Sequence, residues 1–273
     1  MSEIIPPGIY YNMEDSEYRS DPGISQSELK PIMRSAAHFK AGVDDEEGRE
    51  DTDALILGRM VGQIAMEPNK KPWWAVRPDG VDLRTKAGKE WLATIGQSVP
   101  VSQDTFRKAC IMATTLLDHP IAGQIISTAQ REVTVIDECS VAGEKIRRKC
   151  RIDLVGSGNV LADIKTTLDA REKPFRKSVV KYGYHIQAYS YLELWNSRCE
   201  PSQRKDHFLF IAIEKAPPYA IIVHHITPEF VAIGAELYLS AINLYAKCKS
   251  ENKWPGYSEA IQELEPGYGY SSN

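Results

Sequence analysis

"CRIDLVGSGNVLADIKTT", residues 150–167, decides how the chain is read. Two runs in which apolar and polar residues mix at strand-like spacing flank "GSGN", a composition typical of a turn. Two antiparallel strands joined at residues 156–159 follow from that pattern. Asp153 lies on the first and Asp163 on the second, so their carboxylates can face one another across adjacent strands. Lys165 stands two positions past Asp163 and points to the same side, because strand side chains alternate with period two. Two carboxylates and one ammonium thus converge in a frame of Val160, Leu161, Ala162 and Ile164. Close carboxylates repel unless positive charge lies between them, and Mg2+ meets that need with oxygen ligands. An ordinary Asp163–Lys165 surface pair, with Asp153 merely starting a turn, fits the same residues.

Outward from this pair, "QREVTVIDECS" (130–140) and "EKIRRKCRIDLVG" (144–156) extend the pattern to a three-stranded meander. Downstream, residues 179–198, "VVKYGYHIQAYSYLELWNSR", predict one long amphipathic helix. Two apolar strands around "EKAPP" follow, then a helix over 228–250. Upstream, "ISQSELKPIMRSAAHFKAG" predicts a short helix capped by Ser25 or Ser27. A second helix runs from about Leu55 to Glu67 and stops at Pro68, and two more break near His119–Pro120. The order predicts an α/β fold, a central mixed sheet flanked by helices. No linker divides it, so residues 1–273 are expected to form one domain, with an N-terminal helical part (about 24–125) and a core (about 130–250).

Composition narrows the class of protein. Of 273 residues, 42% are hydrophobic and 26% charged, a globular mixture, and the net charge of -4 excludes a global basic field. The five cysteines, an odd number without a CxxC pair, fit neither a structural zinc site nor a redox dithiol and suit a reducing compartment. No window approaches the ~20 apolar residues of a membrane helix. The expectation is a soluble cytoplasmic protein with no membrane partner.

Local clues remain. Gln187 and Tyr191 are four apart, on one helical face, with polar tips suited to a nucleotide or phosphate. Two basic runs bracket the Asp163–Lys165 strand: 145–151 carries five basic residues, and 171–181 carries five with one acid. Together they suggest a phosphate-backbone track, with Arg148, Arg151, Lys173, Arg176 and Lys177 as candidate DNA contacts. His185, just before Gln187, is a further candidate for DNA contact. His224 and His225 are consecutive on a strand, hence on opposite faces and no metal pair.

The ordered set Asp153, Asp163-Ile164-Lys165 and Gln187-x-x-x-Tyr191 resembles the PD-(D/E)xK nucleases, in particular the exonuclease VIII (RecE-type) family of phage and prophage recombination. "PGISQSELKPI", "LILGRMVGQIAMEP", "CRIDLV", "LADIKTT" and "YGYHIQAYSY" carry the likeness from about residue 8 to Pro255. It implies a restriction-endonuclease-like core and a Mg2+-dependent 5′-to-3′ exodeoxyribonuclease acting on linear double-stranded DNA ends. Mn2+ would substitute for Mg2+. Asp153 and Asp163 would be metal ligands, with the Ile164 carbonyl as a third. Lys165 would be catalytic, with Gln187 and Tyr191 auxiliary. The resemblance also implies a homo-oligomeric ring that hands 3′ single-stranded tails to a single-strand annealing recombinase. The setting would be the cytoplasm of a bacterial host, the gene borne by a phage or prophage.

One position departs from the pattern. Where the family helix presents a metal-binding histidine, this chain has Gly62, and no histidine occurs between His38 and His119. A carboxylate or extra water must replace it, or metal binding is weaker. Two rival readings follow. One is a catalytically weakened or inactive DNA-binding or regulatory protein on the same fold. The other is an interaction module working through the acidic run 44–53.

Overall fold

The structure, a computed structural model, describes residues 4–44 and 52–263. Most of the acidic run 44–53 lies outside them. The N-terminal segment holds strand β1 (Gly8–Tyr10), helix α1 (Asp15–Ser20) and helix α2 (Gln26–Leu29). Ser25 caps α2 by accepting the Glu28 N–H, and Glu28 returns the bond in a capping box. The helix expected over this region is interrupted: Pro31 enters a 3-10 turn at Lys30–Met33 before α3 (Ala36–Asp44) begins. Proline lacks the N–H that an uninterrupted helix needs there.

Helix α4 (Asp53–Met66), capped by Thr52, matches the expected span and ends before Pro68. Strand β2 (Trp74–Val76), α5 (Lys86–Ile95) and β3 (Val99–Val101) follow, with β2 and β3 pairing in parallel as a separate small sheet. Then come α6 (Gln103–Asp118) and α7 (Pro120–Thr128), divided at His119, whose Nδ1 accepts the Ala122 N–H and caps α7. No single helix among the described residues is long and apolar enough to cross a membrane.

The meander is β4 (Gln130–Val141), β5 (Glu144–Val155) and β6 (Val160–Thr167). Two helices follow where the sequence predicts one: α8 (Glu172–Tyr182) and α9 (Tyr184–Arg198), parted at Gly183 with φ 70°. Glycine takes that left-handed conformation without steric cost, so the chain turns there instead of continuing. Strands β7 (His207–Glu214) and β8 (Ile221–His225) and helix α10 (Pro228–Glu251) complete the chain. His224 and His225 do point apart: His224 stacks on Phe175, and His225 meets His207.

The main sheet has the order β1-β4-β5-β6-β7-β8, with β6 and β7 parallel and the other pairs antiparallel. Helices α4, α6 and α7 bury Leu57, Met112, Leu116 and Ile126 against Leu154, Ala162 and Ile211 on one face. The N-terminal helical part and the sheet therefore share a core. Helices α8 and α9 cover the other face over Val133, Val135, Ile152, Leu161 and Phe208. Helix α10 lies along α9 so closely that a Cβ on Gly234 would stand 2.2 Å from the His185 carbonyl oxygen. Only glycine permits that approach.

Candidate active site

The residues around Asp153 depart from regular strand geometry. On β5, Ile152 packs under α8 and α9, yet Leu154 packs in the opposite layer. A regular strand would put both on one side. The alternation slips at Asp153, whose Oδ2 accepts the Ile164 N–H at 2.9 Å, across the gap to β6. Strand β4 slips in the same row: Val133 packs under α9, whereas the Arg131 guanidinium donates to the Met66 and Ile126 carbonyls in the other layer. Between them Glu132 has φ 50°, a left-handed value rare for a side-chain-bearing residue.

Pairing fails in that row too. β5 and β6 are paired only at Leu154↔Ala162 and Val155↔Leu161, so the next pair, Asp153 and Asp163, stands where the strands part. A cavity of about 870 Å³ opens there, bounded by α4 and α9 and lined by both aspartates, Ile164 and Lys165.

Asp163 is 2% exposed. Its Oδ1 accepts the Gln187 Nε2–H at 2.6 Å, and its Oδ2 lies 2.6 Å from Lys165 Nζ. The Lys165 ammonium is therefore the partner of that buried oxygen. Lys165 Nζ also sits 4.6 Å over the Tyr184 ring. Burial acts to lower the lysine pKa, but the Asp163 and Asp153 carboxylates outweigh it and raise it, so the ammonium is retained. Burial, then the charges of Asp163 and Glu132, push Asp153 well above its ordinary value. Tyr191 lines the cavity and rests edge-on against Phe208. Burial and the Asp163 carboxylate keep its hydroxyl protonated.

The expected group of Asp153, Asp163, Ile164, Lys165, Gln187 and Tyr191 is therefore brought together around one cavity. Two further residues belong beside it. Tyr184 holds Lys165 from below and could have been found from sequence, since 184, 187 and 191 form one helical stripe. Glu132 lines the same cavity but had no local signal. It becomes visible only once the β4–β5 register sets it opposite Asp153, between the pairs Arg131↔Leu154 and Val133↔Ile152.

The proposed DNA contacts fare differently. Arg148 is 5% exposed, ion-paired with Asp137 and bonded to Glu193 Oε2 at 2.7 Å, so it belongs to the interior and not to a phosphate track. The rest of that run is also committed. Lys145 reaches Glu138, Arg147 reaches Asp21 and Glu138, Lys149 donates to the Tyr18 and Asp21 carbonyls, and Arg151 pairs with Asp15. Arg151 does line the cavity. His185 is buried, its Nδ1 against the Val179 carbonyl and its ring against Phe230, away from the cavity. Lys173, Arg176 and Lys177 are exposed on α8 outside the cavity, and Arg176 pairs with Glu172 at 3.2 Å.

Gly62 lines the cavity from α4, and an added Cβ there would meet only the Met66 Cε at 3.4 Å. Gln63, beside it, is bound to the Lys70 and Lys71 carbonyls. Among the described residues, no three His, Cys, Asp or Glu side chains stand together as a ready metal cage. The donor set nevertheless suits a hard divalent cation. Mg2+ is commonly held by one or two carboxylates with water and phosphate completing its shell. Asp163 and Asp153 supply carboxylate oxygens at the cavity, and the Asp163 charge acts to raise Asp153 despite Lys165 and the Ile164 N–H. The N–H and C=O of one strand residue point to the same edge, so the Ile164 carbonyl faces the same gap as its Asp153-bound N–H.

Comparison with known proteins agrees with this architecture. The profile of a family described as a PDDEXK-like domain of unknown function (DUF3799) matches residues 25–265. A crystal structure from Eubacterium rectale, described as a "putative exonuclease", superposes with TM-score 0.64 at 15% identity, covering 95% of this chain and 97% of that one. The crystal structure of SSO0001 covers 69% of this chain and 85% of its own at 16% identity, and its TM-score of 0.33 carries no weight. No curated protein matches the sequence significantly. The sheet, its helical layers and these matches together make the core restriction-endonuclease-like.

Proposed function

The chain belongs to the PDDEXK-like family DUF3799, and from that premise we propose that it is a divalent-metal-dependent nuclease. We further propose that it is a Mg2+-dependent 5′-to-3′ exodeoxyribonuclease on linear double-stranded DNA ends. The observation that carries the nuclease reading is the cavity where the Asp153 and Asp163 carboxylates converge, with Lys165 and Gln187 holding Asp163. The exonuclease title of the Eubacterium rectale structure supports the mode of attack. The direction, the 3′ tails and their recombination by strand annealing rest on the sequence resemblance alone.

Asp153, Asp163 and the Ile164 carbonyl would hold the cation. A bound Mg2+ supplies a Lewis acid at the scissile phosphate and acidifies a coordinated water. The chain's own groups set the geometry around it. Gln187 anchors one oxygen of Asp163, and Lys165 meets the other. The Ile164 N–H fixes the rotation of the Asp153 carboxylate. Lys165, kept as an ammonium over the Tyr184 ring, donates to a non-bridging phosphate oxygen as negative charge grows there. In hydrolysis, water oxygen bonds to phosphorus, the bond to the leaving oxygen breaks, and that oxygen takes up a proton.

Duplex DNA labelled at the 5′ or the 3′ end, incubated with protein and Mg2+, tests this. Early release of the 5′ label from linear but not covalently closed circular duplex is the expected result. Early release of the 3′ label would reverse the direction, and cutting of closed circles would replace exonuclease with endonuclease. Gly62 favours a second reading, a weakened or inactive DNA-binding protein, because α4 offers the cavity no side chain at that position. Retention of DNA without release of nucleotides would select it. The ring and the annealing partner are proposals of the same resemblance, and light scattering on the purified protein tests the ring.

A further inference from the structure

Three carboxylates stand in one row of the sheet where only two are accounted for. Glu132 on β4, Asp153 on β5 and Asp163 on β6 share the row in which both ladders lose their pairing. The pairs on either side set Glu132 opposite Asp153, although this row itself is unpaired. Glu132 also lines the cavity that holds the two aspartates. Its φ of 50° marks a backbone held away from its preferred conformation, a feature that clusters at functional sites. The charges of Asp163 and Glu132 both act on the buried Asp153 carboxyl from this row, which gives reason to expect a cation there.

Resting on the metal-site reading above, we propose that Glu132 is the third carboxylate of the cation site and takes the place of the histidine missing at Gly62. The two positions approach the cavity from different elements, Gly62 from α4 and Glu132 from β4, so the replacement is spatial and not sequential. Glu132 stands back from the two aspartates, and no three acids form a closed cage. It therefore acts across water, in keeping with the reluctance of Mg2+ to shed its hydration. Lys70 and Arg151 also act on Glu132, but both are shared with Asp15, and Lys70 with Glu67 as well. An all-oxygen set favours Mg2+, whereas a histidine would shift preference toward Mn2+.

The test measures metal binding without DNA or turnover. Mg2+ and Mn2+ are titrated calorimetrically into the full chain, into Glu132→Gln and into Glu132→Gly. Glycine suits a positive φ, so Glu132→Gly should fold at least as well as the parent while lacking the carboxylate. Outer-shell partners of metal sites contribute 10–100-fold in affinity, so both variants should bind Mg2+ at least about tenfold more weakly. Adding Gly62→His to Glu132→Gly should restore Mn2+ affinity more than Mg2+ affinity. Parent-like Mg2+ affinity in folded Glu132→Gly overturns the proposal and leaves the Asp153–Asp163 site standing. A parent that binds neither metal overturns both.

Discussion

Along β5, the stretch from Lys145 to Arg151 and the stretch around Asp153 lie almost side by side and handle charge in different ways. Each of the five cations in the first stretch has an acceptor. Most of those acceptors come from far along the chain: Asp15, Tyr18 and Asp21 from the N-terminal segment, and Glu193 from α9. Ile24 even adds to the edge of β5, its N–H bonded to the Arg147 carbonyl and its carbonyl to the Lys149 N–H. Around Asp153, by contrast, Glu132, Asp153 and Asp163 share one row, the strands part, and burial with the two neighbouring carboxylates pushes Asp153 up. Paired charge in the first stretch staples the chain together, and carboxylates crowded into an unpaired row suit an external cation. A run of basic residues in the sequence is thus a weak sign of DNA when the fold pairs each of them internally.

The sharpest way to break this contrast is Asp163→Asn. It removes the carboxylate that Lys165 and Gln187 hold but keeps its shape, so hydrolysis should fall by at least about 10³-fold, several kcal/mol of transition-state stabilisation. Folding, followed by circular dichroism, should be unchanged, and digestion of linear duplex at the parent rate would remove Asp163 from the site. In the stapled stretch the effect should be on stability instead. Arg148→Met leaves Asp137 and Glu193 short of a partner in the interior, a loss of about 3 kcal/mol, measurable by urea unfolding. Its Mg2+ affinity should match the parent, and a large drop in affinity with no loss of stability would show that the two stretches are not independent.

The two stretches should also titrate in opposite senses. Burial acts to raise Asp21 and Asp137, but bonds and charge from Arg147, and from Arg148 and Arg198, hold both below the ordinary 3.8. A carboxyl with a lowered folded pKa contributes stability that is present above its unfolded pKa and lost as pH falls through the folded one. Glu132 has the reverse sign: burial and the Glu67 charge push it up to about 7 from 4.5, so metal-free protein should gain stability as pH falls across that window. Urea unfolding of chelated protein should therefore show greatest stability at mildly acid pH, with a decline below 3.8 where Asp21 and Asp137 protonate. A stability that rises steadily to neutral pH without metal would contradict the charge excess around Asp153.

The smallest effect concerns α8. If Lys173, Arg176 and Lys177 meet DNA at all, they do so from outside the cavity. Replacing all three with Gln should weaken binding on all sequences alike and lower the slope of log affinity against log salt by roughly 0.9 per lost phosphate contact. An unchanged slope would leave α8 an idle surface.

Local pattern was enough for much of this molecule. Strand-like mixed runs located β4, β5 and β6, apolar runs around a turn located β7 and β8, and helical periodicity with its caps and prolines located α4, α6, α7 and α10. The spacing of Asp153, Asp163, Lys165, Gln187 and Tyr191 was enough to nominate one site, because strand and helix geometry fix which neighbours share a face. Pattern was not enough where an element is short and held by distant contacts, as with β1, which exists by pairing with Thr134–Ile136 of β4. It also failed where one residue's backbone overrides periodicity, as Gly183 does in parting α8 from α9. Only the tertiary structure could pair Arg147 with Asp21 or Arg148 with Glu193, and only it could set Glu132 opposite Asp153. Propensity and alternation are written within a few residues. The partner of a charge and the slip of a strand are decided by segments that meet only when the chain is folded.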